Sequence, residues 1–292
     1  MSRPLYLLGA ALVYALGAGI ANYLGILIDW QAYLIGQVWV TMIQLSTYYL
    51  DAYFAPERVV SKSIINRQEE EDGVTIEVEL PRNIPLIAAL TTLTIAASMT
   101  VLMIRLPYFT PAVLLVMVFI FLGSFFYSTP PVRLTDNGYG DIVTAILIAN
   151  LVPALAYLLQ TGDLHRLLAL TTFPLTFLLL ALLLVFQLPT YGRDLKYERM
   201  TLMVRAGWEY GMRLHNISLL VAYMLMGLAL AFNLPISIGL PAFLTFPLAL
   251  FQIWYMNRIA GGIKPNWTLL MFVATAIFGL SAYLTTFALW TH

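Results

Sequence analysis

Long apolar stretches alternate with shorter charged ones along almost the whole chain. Nine of these stretches have close to the 20 or so residues that a helix needs to cross a bilayer core of about 30 Å. Their interiors carry almost no charge, as expected where no water is present to satisfy polar groups. The pattern therefore predicts an all-α bundle of nine transmembrane helices, at 5–28, 32–50, 84–104, 108–127, 141–160, 168–188, 214–232, 236–256 and 267–290.

Composition supports the same class. Hydrophobic residues make up 61% of the chain and charged residues 10%, whereas soluble domains have about 25% charged residues. The mean hydropathy of +0.83 excludes a soluble globular protein. The longest polar gap, 51–82, is too short to fold alone, so we expect residues 1–292 to form a single polytopic membrane domain. The absence of cysteine excludes disulfides and thiolate metal sites, and we expect no nucleic-acid partner.

The distribution of positive charge predicts the orientation of the bundle. With these nine spans, 13 of the 15 Lys and Arg residues fall on the same side as the amino terminus. The positive-inside rule then makes the amino terminus and the loops 51–82, 129–140 and 189–213 cytoplasmic. We predict an integral, multi-pass protein of a prokaryotic cytoplasmic membrane. Within the first loop, the alternating pattern over 74–80 predicts a short strand.

Several short motifs lie at the ends of these spans. They are Gln-Leu-x-Thr-x-Tyr-Leu at 44–50, Tyr-Ser-x-Pro-Pro-x-Arg-Leu at 127–134, Gly-x-Gly-Asp at 138–141, Leu-Val-Pro at 151–153, Leu-Gln-Thr-Gly at 159–162, Leu-Pro-x-Tyr at 188–191 and Thr-Leu-x-Val-Arg-x-Gly at 201–207. In this order the sequence resembles the UbiA superfamily of intramembrane prenyltransferases, especially its menaquinone-type, aromatic prenyltransferase branch. The resemblance implies a nine-helix bundle with a central lipid-facing cavity capped by cytoplasmic loops.

The resemblance also implies a chemistry that depends on acids. Two Mg²⁺ ions neutralise the departing diphosphate, and carboxylates of an Asn-Asp-x-x-Asp-x-x-x-Asp motif and an Asp-x-x-x-Asp motif hold them. In this chain Asp51 falls at the asparagine of the first motif. The three acids after it are replaced by Ala52, Ala55 and Val59. Thr190 stands at the first acid of the second motif and Asp194 at the second, so one of the five motif acids remains.

We therefore predict no catalytic residues, with Asp51 and Asp194 as remnants, and no metal site. An active enzyme would instead have to bind Mg²⁺ through Asp51, Glu57, Asp194 and Glu198. Shifting the match to use Glu198 breaks its agreement with the surrounding motif residues. Loss of a single stabilising group at a reaction centre commonly lowers the rate by about 10²–10³.

Basic residues at the cytoplasmic mouth are the candidates for substrate binding. Arg133 and Arg205 fall where the resemblance implies basic residues that face a diphosphate, and we add Tyr191 and Arg199 from the second signature loop. Arg193 and Lys196 lie in the same loop. The alternative is that these cations only set the orientation and contact lipid headgroups.

Three functions remain open from the sequence. The first is a membrane protein that binds an isoprenoid lipid, a quinone or a pigment, or that serves as a subunit of a larger membrane complex, without prenyltransferase activity. The second is an active polyprenyl transferase that modifies an aromatic or quinone-precursor acceptor. The third is a transporter or an unrelated bundle, which the nearly charge-free spans disfavour.

Overall fold

The computed structural model describes residues 4–55, 83–107, 109–197 and 199–292. Glu57, Glu198 and the strand predicted over 74–80 lie outside these residues. Within the described ranges the chain is helical apart from short connections, and its single β-type pairing is a parallel bridge between Asn137 and Met200. The predicted all-helical class is confirmed.

The described residues form twelve α-helices, which we number in chain order. They are α1 Pro4–Tyr23, α2 Trp30–Phe54, α3 Asn83–Met103, α4 Pro111–Ser128, α5 Gly140–Thr161, α6 Arg166–Gln187, α7 Tyr191–Lys196, α8 Leu202–Ala206, α9 Trp208–Ala231, α10 Ile236–Phe243, α11 Phe246–Ala260 and α12 Trp267–Thr291. Two 3₁₀ turns, Leu134–Asp136 and Leu188–Thr190, precede α5 and α7.

Eight helical segments of the described chain are long and apolar enough to cross a membrane. Together, α10 and α11 form one of them. With its 25 residues, α2 is also long enough, but its hydropathy is too low for it to be among the eight. The prediction of a helical membrane protein is confirmed, whereas the ninth span and the cytoplasmic side of the amino terminus stay predictions.

The centre of the bundle is α6, which packs against α9, α12 and the middle of α5. Its leucines supply much of the core, and Leu175, Leu178 and Leu184 are almost fully buried. By contrast, α3 and α4 expose many apolar side chains, such as Ile87 and Phe119. Apolar surface without a protein partner on a membrane protein faces lipid, so α3 and α4 lie at the periphery.

The middle of α5 is irregular, and this irregularity shapes the interior. A π-helical turn spans Leu147–Leu151, directly before Pro153. Proline lacks the N–H that would bond to the preceding turn, so a wider turn relieves the local conflict. Gly17 of α1 packs at the same place, where an added Cβ would lie 2.1 Å from the Pro153 carbonyl oxygen. A glycine at this position lets α1 and α5 approach closely.

The single span predicted over 236–256 is broken into two helices. Pro247 occupies the first turn of α11 and cannot continue a helix from α10. At the break, the Thr245 hydroxyl lies 2.8 Å from the Tyr223 hydroxyl and 2.7 Å from that of Ser281. Side chains of α9 and α12 therefore satisfy the polar group that the break leaves in the interior.

The predicted cytoplasmic loops contain short helices. The first loop begins within α2, which continues through Phe54. The third loop, 189–213, contains α7 and α8 and the first turn of α9. Thr201 begins α8 by accepting a hydrogen bond from the Val204 N–H at 3.3 Å, and Gly207, with φ +84°, separates α8 from α9. The loop is therefore a compact cap over the end of the bundle.

Candidate functional site

A cavity of about 360 Å³ opens between α1, α2, α4, α5 and α6, beneath the cap. Its inner wall is apolar and includes Val40, Ile43, Ile120, Ile148 and Leu183. The end toward the cap, here called the polar end, is lined by Thr135, Asp141, Gln187, Thr190, Arg193, Asp194, Arg199 and Thr201. The cavity thus suits a ligand with an apolar body and a polar or charged head.

Asp194 is the carboxylate most deeply enclosed at the polar end. It belongs to the first turn of α7 and is only 5% exposed. The hydroxyl of Thr190, one helical turn earlier, donates a hydrogen bond to Asp194 Oδ2 at 2.7 Å. The four-residue spacing of the second acid motif therefore brings the two side chains together, as a donor and an acceptor rather than as two acids.

Asp141, the second carboxylate of the polar end, fastens the cap to the bundle. Its Oδ2 accepts a hydrogen bond from the Leu202 N–H at 3.2 Å, and its carboxylate accepts another from the Gln187 side chain. The Gln187 Oε1 in turn accepts from the Met203 N–H at 3.0 Å. Together Asp141 and Gln187 satisfy two N–H groups in the first turn of α8.

Asp51, Arg133, Asp136 and Arg199 form a second cluster, the arginine network. Arg133 Nη2 lies 3.7 Å from Asp51 Oδ1, and Arg133 Nε lies 3.1 Å from Asp136 Oδ2. The latter contact is an ion pair without hydrogen-bond alignment. Arg199 Nε lies 3.8 Å from Asp136 Oδ1. Arg133 also donates to the Phe54 carbonyl at 2.7 Å, which ties the end of α2 to the loop 129–140.

Burial raises the pKa of the Asp136 carboxyl. The positive charges of Arg133 and Arg199 oppose this effect, and the negative charge of Asp51 adds to it. Desolvation is the largest of these influences, and Asp136 lies between Arg133 of its own loop and Arg199 of the cap. The two arginines of the network therefore balance the charge of its two aspartates, and little negative charge remains to bind a cation.

Arg205 and Tyr191 serve the cap rather than the cavity. The Arg205 guanidinium donates to the Asn137 carbonyl at 2.9 Å and to the Tyr139 hydroxyl at 2.8 Å, and lies 4.2 Å from the centre of the Tyr139 ring. Tyr191 packs edge-on against Trp208 with ring centres 5.3 Å apart. Of the four predicted substrate-binding residues, the structure brings Arg199 to the cavity lining, while Arg133, Tyr191 and Arg205 are not part of it.

The cavity also contains residues that the sequence did not single out. Arg193 was considered only as one of several loop cations, and Asp141, Gln187 and Gln44 were not considered as site residues. A signal was available for the two glutamines, since each interrupts or ends an apolar span close to the end that is predicted to be cytoplasmic. Asp141 follows the Gly-x-Gly turn at 138–140 and so begins α5 with an acid.

The described carboxylates do not form a donor set for paired Mg²⁺ ions. Of the four candidate ligands, Asp194 lines the cavity, Asp51 does not, and Glu57 and Glu198 lie outside the described residues. Among the residues with described positions, no three His, Cys, Asp or Glu side chains are grouped closely enough to hold a metal ion. The acids at the polar end, Asp141 and Asp194, already accept hydrogen bonds from the protein, whereas Mg²⁺ requires near-octahedral oxygen ligands.

A second, apolar cavity of about 170 Å³ adjoins the first. Tyr6, Ile148 and Phe186 line both, and the second cavity extends between α1, α6 and α12. Its other lining residues are Leu8, Gly9, Leu12, Leu179, Leu182, Thr275, Phe278 and Gly279. The apolar space therefore continues from the inner wall of the first cavity toward the outside of the bundle.

Comparison with known proteins supplies the fold and little else. No protein-family profile and no curated protein match the sequence. The structure of a UbiA homologue from Archaeoglobus fulgidus bound to GPP and Mg²⁺ matches with a TM-score of 0.68 and 16% identity, over 99% of this chain and 98% of that chain. A structure of a UbiA homologue from the same organism bound to Cd²⁺ matches with a TM-score of 0.65 and 14% identity, over 97% of both chains.

A third structure, of a UbiA homologue from A. fulgidus bound to DMAPP and Mg²⁺, matches with a TM-score of 0.61 and 14% identity, over 97% of this chain and 96% of that chain. Identities this low establish the fold alone. The resemblance read from the motifs is confirmed at that level: this chain is a helical membrane protein with the fold of UbiA homologues over almost its whole length.

Proposed function

We propose that the chain is a member of the UbiA superfamily that binds an isoprenoid lipid, a quinone or a pigment in the membrane without transferring a prenyl group. The cavity carries this proposal, since it joins an apolar wall to a polar end whose carboxylates are engaged within the protein. The UbiA homologues of the same fold bind GPP and DMAPP, which supports an isoprenoid ligand. A prokaryotic cytoplasmic membrane is the proposed location.

The same fold supports a subunit role. The lipid-facing helices α3 and α4 expose apolar side chains along their length, and another membrane chain could cover this surface. Gentle purification from native membranes, followed by mass spectrometry of bound lipids and proteins, tests both the ligand and the partner.

Active prenyl transfer is the second candidate. It is favoured by the Mg²⁺ in the structures of the UbiA homologues and by the survival of Asp194 at the cavity lining. Catalysis would then require acids outside the described residues, Glu57 and Glu198, to complete the metal site with Asp194. In that case Mg²⁺ would neutralise the diphosphate of the donor, while the apolar wall would exclude water from the reacting carbon.

A transfer assay separates the two candidates. The purified full-length chain is supplied with radiolabelled polyprenyl diphosphate, Mg²⁺ and a panel of aromatic and quinone-precursor acceptors. We expect binding of the isoprenoid and no labelled product. Mg²⁺-dependent product that is lost in Asp194→Asn and retained in Asp163→Asn, which changes an exposed acid of the loop between α5 and α6, would establish an enzyme instead.

A further inference from the structure

The polar end of the cavity combines two arginines with carboxylates that are already hydrogen-bonded within the protein, which suits an anion better than a metal ion. We infer that the cavity holds a phosphate-bearing headgroup directly on Arg193 and Arg199, without a divalent cation, and that Thr190 is the residue responsible for the change. This inference rests on the proposed function, because it specifies the headgroup of the isoprenoid ligand. It concerns the chemistry of the bound anion and not the transfer reaction.

Thr190 removes the metal-binding capacity of Asp194 in two ways. It replaces the neighbouring acid that the resemblance implies at this position, and its hydroxyl occupies one oxygen of the acid that remains, at 2.7 Å. Asp194 is 5% exposed, so its approach to a ligand is narrow. A single, partly engaged carboxylate is a weak site for a hard cation that needs several oxygen ligands.

Asp141 is also unavailable as a metal ligand, because its carboxylate binds the first turn of α8. Its Oδ2 accepts the Leu202 N–H at 3.2 Å and its carboxylate accepts from Gln187. Moving Asp141 toward a cation would release the first turn of α8 and leave the Leu202 N–H without a partner, which is unfavourable for a buried group. The Asp141 carboxylate and one oxygen of Asp194 are therefore already engaged by the protein.

The arginines at the polar end are the groups left to meet an anion. Arg193 lines the cavity with an exposed side chain and makes no ion pair with any described acid. Arg199, a member of the arginine network, also lines the cavity, and its contacts with Asp136 at 3.8 Å and with the Thr135 hydroxyl at 3.5 Å are both long. Guanidinium groups bind phosphate oxygens in a bidentate manner and keep their charge at any physiological pH. Two of them at the mouth of an apolar cavity can replace the positive charge that metals would otherwise supply.

The test measures binding to the purified full-length chain by calorimetry. GPP is titrated in EDTA and, separately, in Mg²⁺. Geraniol has the same isoprenyl group as GPP without the diphosphate, and inorganic pyrophosphate is the anion without the isoprenyl group. We expect GPP to bind equally well in EDTA and in Mg²⁺, and more tightly than geraniol or pyrophosphate. The pyrophosphate arm separates a site for a free anion from a site for a lipid headgroup.

Three variants locate the site. Arg193→Gln and Arg199→Gln are each expected to weaken GPP binding in EDTA by about 10-fold or more, the effect of losing one charged hydrogen-bonding group, and to leave geraniol binding unchanged. Arg213→Gln is the matched control, since Arg213 pairs with Glu209 on the exposed surface of α9. Thr190→Asp restores an acid next to Asp194, and GPP binding by this variant is expected to become Mg²⁺-dependent.

The possible outcomes separate this inference from the proposed function. GPP binding by the unmodified chain that is lost in EDTA overturns the inference and leaves isoprenoid binding intact. Geraniol binding as tight as that of GPP, or GPP binding unaffected in both arginine variants, overturns it in the same way. Failure of the chain to bind any of the isoprenoid probes refutes the proposed function itself. Melting temperatures close to that of the unmodified chain show that the variants are folded.

Discussion

The two aspartates that stand at positions of the acid motifs, Asp51 at the asparagine of the first and Asp194 at the second acid of the second, lie in different environments. Asp51 lies at the end of α2, outside the cavity lining, and faces Arg133 at 3.7 Å. Asp194 lies in the cavity, almost fully buried, and accepts a hydrogen bond from the neutral Thr190. The Asp51 carboxylate balances the positive charge of Arg133, which joins the end of α2 to the loop 129–140. The Asp194 carboxylate lies in the cavity and accepts a hydrogen bond from the Thr190 hydroxyl. A retained acid is therefore no evidence of a retained metal ligand.

The comparison predicts that the arginine network is structural. Arg133→Ala would leave Asp51 and the half-buried Asp136 without their main counter-charge and would release the Phe54 carbonyl. We expect a loss of about 3 kcal/mol in the free energy of unfolding, as when one partner of a largely buried ion pair is removed. The measurement is denaturant unfolding in detergent. Arg213→Ala, which removes an exposed arginine, is expected to cost less than about 1 kcal/mol, and equal costs for the two variants would contradict a structural network.

Removing the partner of Asp194 is expected to have the next largest effect. Thr190→Val deletes the hydroxyl at 2.7 Å and leaves a buried carboxylate with one hydrogen bond fewer. We expect a loss of about 1.5–2 kcal/mol in unfolding free energy, typical for a hydrogen bond to a charged group. Thr190→Ser keeps the hydroxyl and serves as the control. If Thr190→Val and Thr190→Ser melt at the same temperature, the hydrogen bond does not hold Asp194.

The contrast between the two aspartates becomes sharper when both are made neutral. Asp51→Asn removes one partner of a long ion pair and is expected to cost less than about 1 kcal/mol in stability. It should leave GPP binding unchanged, because Asp51 is outside the cavity lining. Asp194→Asn should alter GPP binding, because it changes the charge at the polar end. Calorimetric titration of GPP into both variants measures the difference. A change in GPP binding in Asp51→Asn, with none in Asp194→Asn, would show that Asp51 and not Asp194 belongs to the binding site.

The smallest expected effect is a pH dependence that originates at Asp136. Because burial raises the pKa of this carboxyl above its ordinary value of 3.8, the folded state binds a proton more readily than the unfolded state. The stabilisation from the protonated group is complete below the ordinary pKa and is lost as pH rises through the raised one. Unmodified protein should therefore gain stability relative to Asp136→Asn as pH falls from 7 toward 4.

Melting curves of both proteins across this range give the measurement for Asp136. Asp163→Asn, an exposed position in the loop between α5 and α6, provides the baseline for a carboxyl outside the network. A stability difference between the unmodified protein and Asp136→Asn that does not change with pH would show that the arginines cancel the effect of burial on Asp136.

The sequence predicted the bundle well because hydropathy reports directly on burial in a membrane. It did not predict the break between α10 and α11: Pro247 is visible in the sequence, but the Tyr223 and Ser281 hydroxyls that meet Thr245 at the break come from distant helices. The motif match also paired Thr190 with Asp194, since a four-residue spacing is sufficient to place two side chains side by side.

The sequence alone does not predict where the arginine side chains of the loops point. Arg133 adopts a left-handed backbone conformation, with φ 38°, and this turn directs it into the arginine network. Arg205 extends along Gly138, where the absence of a side chain leaves room for it, because an added Cβ at Gly138 would lie 2.8 Å from Arg205 Cδ. Both arginines occupy motif positions that imply contact with a diphosphate, yet Arg133 contacts Asp51, Asp136 and the end of α2, and Arg205 contacts the loop 129–140. Arg193, which is not one of the motif positions, lines the cavity instead.

An experimental structure of the full-length chain with GPP and excess Mg²⁺ would distinguish a metal-free headgroup site from a metal site. We expect an isoprenoid in the cavity, its phosphates on Arg193 and Arg199, the Thr190–Asp194 hydrogen bond intact, and no ordered cation between protein and ligand. Ordered Mg²⁺ bridging Asp194 and the phosphates, with Glu57 or Glu198 completing its ligands, would refute a metal-free site.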